Sequence, residues 1–85
     1  MKLLKRPRSN EATFGKARDR ARKMASADLE GAAWAHLQYI GEYVSAWRRS
    51  GGDRSTMIAA LEEAEMNALS LIEIFRELRS RAASL

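Results

Sequence analysis

The stretch WRRSGGDR, residues 47–54, is the strongest break signal in the chain. Two arginines precede paired glycines, which is typical of the last turn of a helix and its cap. Either Asp53 or Ser55 then starts the next helix. A link this short makes the two flanking helices antiparallel neighbours. The sequence on both sides is rich in Ala and poor in β-branched residues, which favours helix over strand.

We predict one helix from about 27 to 49 and another from about 54 to 81. The first carries apolar residues on two sides, so we expect both sides to be buried and this helix to be central. Its two stripes are Ala33, Leu37, Ile40, Val44 and Trp47, and Ala32, His36, Tyr39, Tyr43 and Ala46. The second helix has one broad apolar stripe that includes Leu61, Ile72 and Phe75, whereas Glu73 and Glu77 face away and pair with Arg76 and Arg81.

The N-terminal part of the chain is basic and the remainder is acidic. Residues 1–23 contain nine Lys or Arg and two Asp or Glu, whereas residues 24–85 contain six Arg and nine Asp or Glu. The formal charges are therefore +7 and −3, which sum to +4. We predict a flexible basic arm over residues 1–9 and a basic helix from about 11 to 24. That helix either breaks near Ser26, which is then the N-cap candidate of the next helix, or continues into the next one.

A chain of 85 residues allows one domain, which we place at residues 10–85. At this size a monomer buries only about 60% of the surface that its unfolded form exposes, so small folds need added support. There is no Cys, which excludes disulfides and thiolate metal sites. Association of two or more chains is then the remaining way to stabilise a fold of this size. The predicted fold is all-α: an antiparallel helical hairpin with a basic N-terminal helix, assembled as a dimeric helical bundle.

The sequence carries no signature of catalysis, and we predict a non-enzyme without cofactor, metal or small-molecule substrate. His36 is the only imidazole, and it lies between aromatic residues on an apolar face. No Glu-x-x-His motif of a di-iron bundle and no glycine-rich phosphate loop followed by Lys and Ser or Thr is present. Glu62, Glu63 and Glu65 are interpreted as solvated surface in preference to a Mg²⁺ site.

The chain is predicted to be cytoplasmic and to make no membrane contact. The basic start lacks the apolar core of a secretory signal, and no stretch approaches the roughly 20 apolar residues of a membrane span. The cluster KRPR at residues 5–8 is a possible nuclear address in a eukaryote.

Contacts to phosphates require several Lys or Arg side chains, and the forked guanidinium of Arg matches the phosphate oxygens. We therefore predict that the basic segment binds nucleic acid or an acidic protein surface. The candidate binding residues are Arg8, Lys16, Arg18, Arg20, Arg22 and Lys23. A second candidate set is aromatic. Core packing is the default for aromatic residues at helical spacing, but Trp34 lies off the Leu37–Trp47 stripe and Tyr39 lies nearly opposite it, and a single hairpin cannot cover both. Its members, predicted at an oligomer or partner interface, are Trp34, Tyr39, Tyr43 and Trp47.

Two functions follow as expectations. The first is a small non-catalytic helical binding protein that engages an acidic macromolecule, either nucleic acid or a nucleoprotein complex, through its N-terminal segment. The alternative is an inhibitor or adaptor, of the kind found among phage-type regulators, that docks on a partner protein. That docking would use the aromatic residues of the second helix or the Arg-rich helix.

Overall fold

The computed structural model describes the backbone of residues 10–85 and the side chains of residues 15–85. In this range the chain forms three helices and no strand: α1 Asn10–Lys23, α2 Ser26–Arg48 and α3 Arg54–Ala83. The prediction of an all-α fold is confirmed, and each helix end lies within two residues of its predicted position. The predicted arm at residues 1–9 lies outside the described residues.

The chain breaks between α1 and α2. The backbone N–H of Met24 donates to the carbonyl of Ala21 at 3.2 Å, which tightens the end of α1. Ala25 is then extended, with φ −66° and ψ 153°, and Ser26 is the first residue of α2. The second of the two alternatives, one continuous helix, is therefore wrong. Ser26 is not the N-cap either; Ala25 holds that position without a side-chain hydrogen bond.

The link between α2 and α3 depends on the two glycines. Gly51 has φ +64° and Gly52 has φ +91°, a region in which a side chain would be strained. Asp53 returns to an extended conformation as the N-cap of α3, and the hydroxyl of Thr56 donates to its carboxylate. The paired glycines therefore allow the chain to turn between two long helices within five residues.

Both other helices pack against α3. Contacts between α2 and α3 pair Ser26 with Arg81 and His36 with Asn67, so positions later in α2 meet positions earlier in α3. Helix α1 also packs on α3, whereas α1 and α2 touch at few positions. Within one chain the central helix is therefore α3 and not α2, which differs from the expectation drawn from the two apolar sides of α2.

The core is small and lies where the three helices meet. Leu29 is fully buried, and a cluster of buried residues surrounds it: Ala21, Ala33, Leu71 and Ile74. Several residues of the predicted apolar stripes lie outside this core and are exposed: Leu37, Val44, Trp47, Ile58, Leu61, Ile72 and Phe75. The single chain thus covers only part of its apolar surface.

The guanidinium of Arg81 joins all three helices. Its Nη1 donates to the hydroxyl of Ser26 at 3.0 Å, at the start of α2. Its Nη2 donates to the carbonyls of Ala21 and Arg22, both at 3.3 Å, in the last turn of α1. Its Nε donates to Glu77 at 2.8 Å within α3. A cation at this position gives the carbonyl of Arg22 a donor, adds a second donor to that of Ala21, and opposes the negative end of the α1 dipole.

We expect Arg81→Lys to lower the free energy of unfolding by about 1–3 kcal/mol, because an ammonium cannot reach the same four acceptors in the fixed geometry of the fork. Urea unfolding followed by circular dichroism at fixed protein concentration measures this. Arg79→Lys is the matched control, since Arg79 is exposed on the same helix. If the two substitutions lower the free energy of unfolding equally, the hydrogen bonds of Arg81 to α1 and α2 contribute nothing to stability.

Candidate functional site

Small side chains hold α1 against α3. Ala17 and Ala21 are buried, and their spacing of four places them on the same side of α1. Because alanine is small, the backbone of α1 lies close to α3, and the long basic side chains project from its other sides. Lys16, Arg20 and Lys23 are exposed.

The exposed cations of α1 fall into two rows. Lys16, Arg20 and Lys23 follow one another at steps of four and three, so they share one flank of the helix. Arg18 and Arg22, four residues apart, occupy the other flank. Among residues 15–85, the first row and Arg22 make no side-chain ion pair. Arg8, which was also predicted to bind, lies outside the described residues.

Arg18 has a structural partner that the sequence did not reveal. Its Nε lies 3.5 Å from Oε1 of Glu73, a carboxylate on α3 whose residue is only 3% exposed. Arg76 lies 3.7 Å from the other carboxylate oxygen, which accepts no hydrogen bond from the described groups. The expectation that Glu73 faces solvent is wrong, although its predicted pairing with Arg76 is present. Arg18 therefore attaches α1 to α3 as well as adding charge to the surface.

His36 connects α2 to α3. The side-chain nitrogen of Asn67 donates to the carbonyl of Glu63 at 2.9 Å, so the amide oxygen of Asn67 is left as an acceptor. Nδ1 of His36 lies 2.7 Å from that oxygen and must carry the proton that it donates. His36 also lines a cleft of about 40 Å³, together with Ala17, Met24 and Ile74 among others. This volume has room for water and not for a substrate.

No set of three or more His, Asp or Glu side chains converges on a common point within the described part of the chain. Glu62, Glu63 and Glu65 follow one another on α3 without forming such a set.

The predicted aromatic residues do not form one surface. Trp34 is 65% exposed and Tyr39 is 49% exposed, but five residues of α-helix turn them about 140° apart. Tyr39 instead stands edge-on to His36, with ring centroids 6.5 Å apart. Trp47 is partly exposed near the end of α2, and Tyr43 is half-buried. Any interface on α2 must therefore use either the side of Trp34 or the side of Tyr39.

Comparisons with known proteins give no relative: no family model matches the chain, and neither does a curated protein or a solved structure. Among the described helices, none has the length and apolar character required to cross a membrane.

We expect Arg18→Ala to lower the free energy of unfolding by about 1–2 kcal/mol, because it leaves the buried carboxylate of Glu73 without its partner on α1. This figure is below that for a fully buried pair, since the Arg18 side chain is partly exposed. Arg22→Ala, the control from the same flank, should change stability by less than about 0.5 kcal/mol. Thermal and urea melts compare the two.

Adding Glu73→Gln to Arg18→Ala should recover part of the loss, because the amide is neutral and needs no cation. If the double variant is no more stable than Arg18→Ala alone, the ion pair is not what attaches α1 to α3.

Proposed function

We propose that this chain is a small non-catalytic binding protein of the cytoplasm that engages nucleic acid or a nucleoprotein complex through α1. The observation that carries the proposal is the row formed by Lys16, Arg20 and Lys23: three exposed cations on one flank of a helix that is packed against α3. Cations held in fixed order lose less conformational freedom on binding than cations on a disordered segment.

Charge supports a polyanion as the partner. The row lies in a segment with a formal charge of +7, attached to a remainder with a charge of −3. Phosphate backbones bind such segments by releasing counterions, and this contribution is independent of base sequence. Arg22 on the other flank adds a fourth cation without a partner among the described residues. Arg18 contributes less, because Glu73 already neutralises it.

We further propose that α2 and α3 form an antiparallel hairpin and that the chain works as a homodimer. The reversed order of the α2–α3 contacts supports the hairpin. The exposed apolar residues of both helices support the dimer, since a monomer of this size leaves them in water. Two copies of α1 would then act together on one binding partner or on two.

Replacing Lys16, Arg20 and Lys23 with Ala should weaken binding to a short DNA duplex and flatten its salt dependence. Each cation that neutralises a phosphate adds about 0.9 to the slope of log K against log salt, so the slope of the triple variant should be smaller by roughly 2–3. Fluorescence anisotropy over a series of salt concentrations measures both the affinity and the slope.

The matched control replaces Arg49, Arg54 and Arg79 with Ala, which removes the same formal charge from exposed positions outside α1. This control should keep most of the slope. If both triple variants flatten it equally, only net charge matters and α1 is not a binding surface. If the unmodified protein binds no nucleic acid even at low salt, the polyanion proposal fails.

The exposure of Trp34 favours a second candidate, an inhibitor or adaptor that docks on a protein partner through α2. Affinity capture from the source cell, with and without nuclease, separates the two. A partner that nuclease treatment releases supports nucleic-acid binding. A partner that persists, and that Trp34→Ala releases while Tyr39→Ala does not, supports docking through α2.

A further inference from the structure

One row of residues on α2 is exposed to solvent, and its residue positions are arranged symmetrically about the middle of the helix. Helix α2 turns Leu29, Ala33 and Ile40 toward the core. About 100° further round lies a row whose members follow one another at steps of four and three. These members are Glu30, Trp34, Leu37, Gly41, Val44 and Arg48, and all are exposed.

The neighbouring row of α3 lies on the same side of the molecule. Leu71 and Ile74 of α3 are in the core, and Ile72 and Phe75 are rotated from them in the same sense as Trp34 is from Ala33. In two helices that run in opposite directions, the same rotation leads to the same side of the pair. Leu61 belongs to this α3 row as well. Together the apolar members of both rows form what we call the open face: Trp34, Leu37, Val44, Leu61, Ile72 and Phe75.

Helix α1 covers the opposite side. It meets α3 at Glu73 and Arg81, which are rotated from the core positions in the other sense. Within residues 15–85, nothing in the single chain therefore covers the open face. If each large side chain has a full area of about 150–250 Å², the exposed parts of the six open-face residues sum to roughly 500 Å². This exposed apolar area is large for one chain of this size. It is close to the apolar area expected at the centre of an interface that buries about 800 Å² per partner.

We propose that a second copy of this chain covers the open face, with α2 crossing α2 of the partner antiparallel about a two-fold axis near residue 39. The inference rests on the homodimer of the proposed function and assigns its surface. The row on α2 is symmetric about that position. Glu30 meets Arg48 of the partner subunit, Trp34 meets the partner's Val44, and Leu37 meets the partner's Gly41.

Each of these pairings is complementary. Glu30 and Arg48 have opposite charges, and the two larger residues, Trp34 and Leu37, each meet a smaller one. Gly41 weakens α2 by roughly 1 kcal/mol relative to Ala, and within one chain a Cβ there would meet no atom within 4 Å. Space reserved for Leu37 of the partner subunit explains this glycine. A row that complements itself favours a second copy over an unrelated protein.

The proposed dimer separates the two basic helices. Because α1 lies on the side of the α2–α3 pair away from the open face, the two copies of α1 face outward in opposite directions. Such a dimer would bridge two segments of nucleic acid and would not concentrate both basic helices on a single short site.

The first test compares Leu37→Glu with Tyr39→Glu by sedimentation equilibrium. The two residues are similarly exposed, at 44% and 49%, but Tyr39 points away from the open face. The unmodified protein and Tyr39→Glu should be dimers, whereas Leu37→Glu should dissociate about a hundredfold more readily. If Leu37→Glu stays dimeric, or if Tyr39→Glu also dissociates, the assigned face is wrong.

The second test does not depend on a buried substitution and uses exposed charges only. Glu30→Arg alone and Arg48→Glu alone should each weaken the homodimer about tenfold, because each places like charges opposite one another twice. Mixing the two variants should restore association, since both pairs are then opposite in charge. Glu30 and Arg48 lie about 27 Å apart along one helix, so rescue can only act between chains. Absence of rescue would overturn the antiparallel register.

The third test separates this inference from nucleic-acid binding. Short duplexes labelled with a donor or an acceptor fluorophore should transfer energy when mixed with the unmodified protein. Leu37→Glu should bind each duplex but no longer bring them together. If no duplex binds at low salt while the dimer and the charge rescue hold, the proposed function fails and the interface stands. If the unmodified protein is a monomer, the interface is overturned whatever it binds.

Discussion

The guanidinium of Arg81 holds together the three segments that meet at one end of the molecule. It bonds the last turn of α1, the first residue of α2 and a carboxylate of its own helix. The residues between α1 and α2 form only a tight turn, and Ala25 offers no side-chain cap. One planar cation therefore links the carbonyls at the end of α1 and the hydroxyl of the first residue of α2 to α3.

The packing around this junction is thin. Leu29 is the one large side chain that is fully buried among the described residues, and much of the remaining core is alanine. A core of this kind gains limited hydrophobic stabilisation, and the conformational entropy of residues 10–85 opposes it. Polar contacts between helices, such as His36 with Asn67 and Arg18 with Glu73, therefore matter more here than they would in a larger domain.

The helices could be predicted from the sequence because their signals are local. Paired glycines after two arginines marked the end of α2, and apolar residues at steps of three and four marked the helices themselves. The role of Arg81 could not be predicted, because its partners on α1 and α2 lie 55–60 residues away in sequence. The burial of Glu73 was missed because a carboxylate between apolar neighbours has the pattern of a solvated flank. The broad stripe on α3 combined two adjacent rows, and only their packing in the folded chain separates the buried row from the exposed one.

The way α1 is attached also bears on how its sequence can change. Arg81 bonds to backbone carbonyls of α1, and the buried side chains of α1 within residues 15–23 are alanines. The packing of this part of α1 therefore depends little on which residues point outward. Apart from Arg18, the described cations of α1 can be exchanged, added or removed with small effect on folding. Binding preference and structural integrity are thus encoded at different positions of the same short helix. Single substitutions at the exposed positions of such a helix can therefore change which partner it binds, while its packing against α3 stays the same.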